Sequence, residues 1–398
     1  LYVLDGYAVA AATGMGVRIN TIMQTAFFAL SGILPREEAI EKIRETIHKT
    51  YGRRGQKVVD QNFAAVDQSL AKLHEVCVPG GVTATAGIRA AVPADAPPFV
   101  REVIGEMIAG RGDLIPVSKL PIDGTYPTGT TQYEKRGISM EVPVWEPDLC
   151  SQCGKCILVC PHAVMRAKVV PEAALAGAPS GFKSADPRFR DADGLKYTLQ
   201  VSTEDCTGCA LCVEVCPEFD KTDVRRKAVN LASFPEQTPE QKADWDFFLT
   251  LPDTPAFPEP PIYDNAKSIQ LLRPLFEFSG ACAGCGETPY LKLLTQLFGD
   301  RLMVANATGC SSIFGGNLPT TPWAKDAHGR GPAWCNSLFE DNAEFGFGMR
   351  LALDSQRDEA ERLLCEHTGL IGPEIVEPLL VPEKSDPVTR EQRRLQVG

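Results

Sequence analysis

The chain has 398 residues, 44% of them hydrophobic and 23% charged, and 40 basic against 51 acidic side chains give a formal net charge of -11. That length buries real cores in several domains, so the 14 cysteines do not stand in for a missing interior, as they would in a small disulfide scaffold. The acidic balance argues against a nucleic-acid partner, and no apolar run is long enough to span a bilayer, so the expectation is a cytoplasmic chain with no membrane partner, its thiols kept for metal ligation.

The opening string LYVLDGYAVAAATGMG reads as the interior of a folded domain, and the chain is expected to be part of a longer protein. Pro35 suits a first helical position, and Ile40, Ile43 and Ile47 recur at helical spacing up to Gly52. REEAIEKIRETIHK supplies that helix's solvated face. Val59, Phe63, Val66, Leu70 and Leu73 form a second stripe, so residues 35–75 predict a helical hairpin. From Cys77 to Gly137 the texture turns to Gly, Pro and Ala, which places a boundary near Val78. Further on, residues 162–205 are longer than a compact two-cluster module needs and read as a surface insertion, with a strand over YTLQVS. Five prolines between Leu251 and Pro261 predict an extended connector, and a new domain is expected near Asn265. There Thr288 is placed as a helix cap before Pro289, with Leu291, Leu294 and Leu297 on one face, and RLMVANA follows as a strand, a pattern of α/β type.

Two blocks carry the chemistry. CSQCGKCILVCP (Cys150 to Pro161) and CTGCALCVEVCP (Cys206 to Pro217) both obey C-x2-C-x2-C-x3-C-P, the spacing of a bacterial ferredoxin with two 4Fe-4S clusters, in which the fourth Cys of each block crosses to the other cluster. The ligand sets are therefore Cys150, Cys153, Cys156 and Cys216 for one, and Cys206, Cys209, Cys212 and Cys160 for the other. Gly154 and Gly208 are expected to let the backbone approach the sulfides. Structural zinc also uses C-x2-C pairs, but duplicated triplets fit it poorly. A third set, Cys282 and Cys285 in GACAGCGET with Cys310 in ATGCSS, is one thiol short of a cube; Cys335 could complete it, and spacing alone leaves zinc and iron open. The glycine-rich TGMG and IFGG match no nucleotide-binding pattern and read as turns. His48, His74, His162, His328 and His367 lack ligand spacing, and Cys77 and Cys365 are expected to be small buried apolar groups.

Taken together these strings resemble the pyruvate:ferredoxin (flavodoxin) oxidoreductases. RINTIMQTAFFALSGILPREEAI looks like the end of the family's gamma-type domain and YEKRGI its Glu-Lys-Arg (EKR) domain; CAGCGETPYLKLLTQLFGDRLMVANATGCSSIFGGNLPTTPW and GPAWCNSLFEDNAEFGFGM look like the opening of its thiamine diphosphate domain. The resemblance implies a multidomain α/β and α+β chain: the end of the gamma-type domain over 1–77, with the helical hairpin closing an α/β domain; a small EKR domain over 78–139; a bacterial ferredoxin-like domain over 140–250 with the insertion; a linker over 251–264; and part of a thiamine diphosphate-binding α/β domain over 265–398. It implies that Cys282, Cys285 and Cys310 hold a third 4Fe-4S cluster whose fourth ligand lies downstream of this chain, with Cys335 a bystander, and that Glu287 and Cys310 contact thiamine diphosphate. The magnesium ligands of the cofactor fall outside this chain. The complete enzyme would be a homodimer oxidising pyruvate with coenzyme A to acetyl-CoA and carbon dioxide, with ferredoxin or flavodoxin as acceptor; this stretch would carry the relay and not turn over pyruvate alone. The competing reading is a free-standing iron-sulfur carrier without carbon chemistry.

Overall fold

The computed structural model describes residues 1–85, 87–189, 192–253, 265–316, 319–337 and 341–381. The connector expected over 251–261 lies mostly outside them. Contacts divide the chain into two units, Leu1–Ile88 and Arg89–Gly398.

The first unit is helical. A two-residue strand β1 (Tyr2–Val3) precedes α1 (Gly6–Ala12), capped by the Asp5 carboxylate, and α2 (Asn20–Ser31). Then α3 (Arg36–Tyr51) and α4 (Gln56–Lys72) form the hairpin, and β2 (His74–Glu75) returns antiparallel to β1. Ile43 and Ile47 meet Val59 and Val66 across the hairpin, while Val9, Ala10, Ile22 and Ala65 make a second cluster. Gly52 is the C-cap of α3, its backbone still right-handed, and a 3-10 turn carries the chain on to Gly55, whose φ of 103° a side chain would resist.

The second unit holds the cysteine blocks. A π-helical turn, Val100–Ile104, runs into the short α5 (Gly105–Ile108) over a small cluster of Val92, Ala96, Val100 and Ile104. Next come β3 (Glu141–Trp145), α6 (Lys155–Val159), β4 (Met165–Pro171), β5 (Leu195–Val201), α7 (Leu211–Glu214), β6 (Val229–Ser233) and α8 (Phe234–Thr250). β3 pairs antiparallel with β6, and β4 with β5, in register from Met165↔Val201 to Pro171↔Leu195. The expectation of a surface insertion over 162–205 is therefore corrected: β4 and β5 are its two ends, and Val169, Val170, Tyr197, Leu199 and Val201 lie in the same core as Cys156, Cys160, Cys206 and Cys212. The two-strand ribbon stays inside because Val169, Tyr197, Leu199 and Val201 have that core to pack against, while its buried polar side chains Arg166, Lys168 and Thr198 find hydrogen-bond partners.

Beyond 264 come α9 (Ala266–Ile269), capped by Asn265, then α10 (Thr288–Phe298), β7 (Met303–Asn306), α11 (Cys310–Gly315), and β8 (Ala333–Asn336) parallel to β7. The chain then forms α12 (Asn342–Glu366), α13 (Thr368–Ile371) and α14 (Pro373–Leu380). Thr288 is the first residue of α10 rather than its cap, and its hydroxyl is buried without a partner. Nor is the helix's inward face the predicted leucine stripe. Thr288, Lys292, Thr295 and Gln296 are buried, whereas Leu297 is exposed.

Candidate metal centres

The two cysteine loops adopt one backbone solution. Gln152 and Gly208, before the second cysteine of each block, have φ of 57° and 65°; Gly154 and Ala210, after it, have 73° and 63°. Each block contains one glycine, at different positions, yet both positions are left-handed in both blocks. The turn aims a backbone N–H at sulfur: Gln152 N donates to Cys150 Sγ at 3.2 Å and Gly208 N to Cys206 Sγ at 3.4 Å. Gln152 also has its buried amide tied by Nε2 to Asp186 O and by Oε1 to Arg188 N, both at 2.7 Å. The glycines make room for protein on the side their Cβ atoms would take: a Cβ on Gly208 would run into Ser139 Oγ and lie 3.3 Å from Glu141 O, and one on Gly154 would lie 3.4 Å from Gln270 Cγ.

Each loop wraps a cavity, and each cavity is closed by the other block. The first is lined by Cys150, Cys153, Cys156 and, from the second block, Cys216, with Tyr197 and Leu199 behind. The second is lined by Cys206, Cys209, Cys212 and, from the first block, Cys160, with His162 and Leu231. The duplicated sequence thus lines two sites in the same way, three thiols from one block and one from the other. Among the described residues no three His, Cys, Asp or Glu converge tightly enough to hold a single ion. Four thiols around a cage suit a cube with one iron at each thiolate better than they suit zinc, which draws its ligands to one point. The second cavity also has an unpartnered buried hydroxyl on its wall, Thr207 Oγ1, which can donate to a sulfide-bearing guest.

The electrostatics of these thiols calls for a cationic guest, cluster or zinc alike. In the metal-free protein, burial first and then neighbouring thiolates push Cys212 up to about 12 and Cys156 higher still; burial pushes Cys206 to about 12, against the opposing pull of the Gly208 N–H. Thiols so placed ionise only for a cationic guest, which compensates both terms. Burial likewise keeps His162 neutral, at about 4, with its Nδ1 3.1 Å from Ser279 O.

The third set is arranged differently. Cys282 and Cys310 are exposed and Cys285 is half-buried. Cys285 N donates to Cys282 O at 3.1 Å, and a Cβ on Gly284, at φ 73°, would lie 3.8 Å from Cys209 Cβ and 3.9 Å from Leu211 Cδ1. This loop therefore lies against the second cavity, not the first. Cys310 opens α11, Cys335 sits exposed on β8, and Glu287 is exposed immediately before α10. Cys77 and Cys365 are exposed, not buried: the first follows the small β2 ribbon, and the second lies on α12, a helix with no buried residue.

Two features went unseen in the sequence. One is the role of Glu134, Lys135 and Arg136, whose side chains reach three separate segments. Lys135 Nζ pairs with Asp205, next to Cys206, at 2.5 Å; Arg136 donates to Ser279 O, before Cys282, at 3.1 Å; Glu134 accepts from Thr320 Oγ1 at 2.9 Å. The other is Lys292, 1% exposed on α10, whose ammonium donates to the carbonyls of Ile157, Leu158 (3.0 Å) and Cys160 (3.4 Å). A lysine among leucines at helical spacing reads as a surface residue, and only the fold turns it inward.

Three family models match the chain. Residues 1–72 match the family model described as pyruvate ferredoxin/flavodoxin oxidoreductase, 85–139 the EKR domain of unknown function, and 149–219 the 4Fe-4S dicluster domain. The chain is 56% identical over 384 residues (96% of the chain, 32% of the relative) to a putative pyruvate-flavodoxin oxidoreductase of Synechocystis sp.. It is also 56% identical over 376 residues (94% and 31%) to the pyruvate-flavodoxin oxidoreductase of Rhodospirillum rubrum, and 47% over 358 residues (90% and 30%) to the pyruvate:ferredoxin oxidoreductase of Moorella thermoacetica. The chain thus spans about a third of the length of the curated relatives it matches. Among the described residues no helix is long and apolar enough to cross a membrane.

Proposed function

Because the chain belongs to the pyruvate-flavodoxin oxidoreductase family, we propose that it carries the electron relay of an enzyme that oxidatively decarboxylates pyruvate with coenzyme A. The observation that carries this reading is the pair of cavities, each ringed by three thiols of one block and the fourth of the other. Cys150, Cys153, Cys156 and Cys216 would hold one 4Fe-4S cluster, and Cys206, Cys209, Cys212 and Cys160 the second. Bound there, such clusters accept and release single electrons with little rearrangement.

The protein's own groups prepare both sites. The left-handed turns present N–H donors to Cys150 and Cys206, the buried ribbon β4–β5 and the aromatic residues Trp145, Tyr197 and Trp245 exclude water, and Thr207 offers its hydroxyl beside the second site. Cys282, Cys285 and Cys310 are the inner site, completed by a ligand other than Cys335, and Glu287 and Cys310 are where thiamine diphosphate, with its magnesium, would approach. The approach of the Gly284 turn to Cys209 and Leu211, where only a Cβ on the glycine would make contact, supports an order in which the inner site neighbours the second cluster and the first cluster is outermost, towards ferredoxin or flavodoxin. The whole enzyme would act in the cytoplasm as a homodimer.

Iron, acid-labile sulfide and zinc counted on anaerobically purified chain test the reading. About eight irons with equal sulfide per chain are expected, or about twelve if the inner site also fills. Zinc in place of iron would overturn it in favour of a structural metal protein.

A further inference from the structure

A buried ammonium normally sits against a carboxylate, because an uncompensated charge in the interior costs several kcal/mol. The second unit follows this rule at Arg166, paired with Glu277, and at Lys135, paired with Asp205. Lys292 departs from it. Among the described residues it has no ion-pair partner, only the three carbonyls of Ile157, Leu158 and Cys160. Those carbonyls belong to the end of α6 and the residue after it, a stretch that, like Cys212–Cys216 of the second block, contributes a thiol to each cavity: Cys156 to the first and Cys160 to the second. Helix α10 thus delivers an ammonium group to a segment that serves both metal sites, and nothing described in the protein pairs with it.

We propose that the anion Lys292 awaits is the pair of clusters, and that its charge sets their reduction potentials. This rests on the two sites holding 4Fe-4S clusters. When an electron from a low-potential reductant enters either cluster, the cluster gains one negative charge, no bond to the protein breaks and no proton moves; an adjacent fixed cation favours that state. Because α10 follows directly on the Cys282–Cys285 loop, Lys292 makes the electron affinity of the relay depend on the docking of the segment that carries the inner site.

The test is an anaerobic redox titration of the cluster-loaded chain with dithionite, followed by electron paramagnetic resonance, for the wild type and for Lys292→Gln, Lys292→Met and Lys292→Arg. Glutamine keeps a donor for the carbonyls, and methionine fills the space without a charge to desolvate. Both are expected to make the clusters about tenfold harder to reduce, which is ~59 mV for a one-electron couple, while arginine stays within about threefold of wild type. A neutral variant with full iron and unchanged potentials overturns the proposal, and so does arginine shifting as far as glutamine. Neutral variants that hold no clusters while arginine holds both would also overturn it, since the charge would then secure the fold of the ligand segment rather than tune it. Wild-type protein lacking iron would instead sink the cluster reading itself, so the two failures are told apart in one preparation.

Discussion

Ala210 and Gln152 occupy backbone conformations that cost an L-residue about 1–2 kcal/mol. The cost is offset differently in the two loops. Gln152 is locked by two side-chain hydrogen bonds to the 186–188 segment, so replacing it with glycine would relieve the backbone and lose both bonds. Ala210 has no side-chain bond to lose. Ala210→Gly is therefore expected to leave iron content unchanged and to stabilise the chain by about 1 kcal/mol, less the extra freedom glycine gives the unfolded state. Urea unfolding of the loaded protein measures this; a clear loss of stability would mean that the methyl packs in a way that outweighs the strain.

Among the elements, the EKR segment has the strongest claim to a structural task, because its three charged residues join stretches far apart in sequence. Lys135 is one-fifth exposed and Asp205 is buried, so Lys135→Met would leave a carboxylate without its cation directly before the ligand Cys206. A loss of about 2–3 kcal/mol is expected, below the ~3–5 of a fully buried pair, and Asp205→Asn in the same chain should recover part of it. If the double variant is no better than the single one, the pair is not what the segment contributes. None of this was legible in the sequence: YEKRGI shows a charge pattern, and its partners lie 70 to 186 residues away. What was legible followed from local periodicity. The α3–α4 hairpin shows in its isoleucine and valine stripes, the strand β5 in YTLQVS, and the grouping of thiols in their spacing. The failures have one cause. The insertion was judged by its length, the leucines of α10 and Cys77 and Cys365 by what a residue type usually does, and tertiary packing decided otherwise: two strands found a core, Lys292 found three carbonyls, and two cysteines found none.

At the scale of the whole chain, the apolar core of the second unit is interrupted by its own metal sites. Cys156, Cys160, Cys206 and Cys212 are members of the cluster that includes Trp145, Tyr197, Trp245 and Phe248, so emptying the two cavities takes atoms out of the middle of that core and leaves thiols whose ionisation burial opposes. The helices α1 to α4 rest on separate clusters built from Val9, Ala10, Ile22 and Ala65 and from Ile43, Ile47, Val59 and Val66, with no cysteine among them. Metal affinity is folding energy only for the structure that forms the site. Removing iron with a chelator under reducing conditions should therefore act unevenly, and hydrogen exchange resolves it segment by segment. Amides of β4, β5 and α6 are expected to lose protection by tenfold or more, while those of α2, α3 and α4 change by less than about twofold. Equal loss across both units would show that the chain unfolds as a single cooperative body. Unchanged protection in β4 and β5 would show that the ribbon and α8 hold the cavities open unaided, and the clusters would then be guests of a preformed site rather than part of its core.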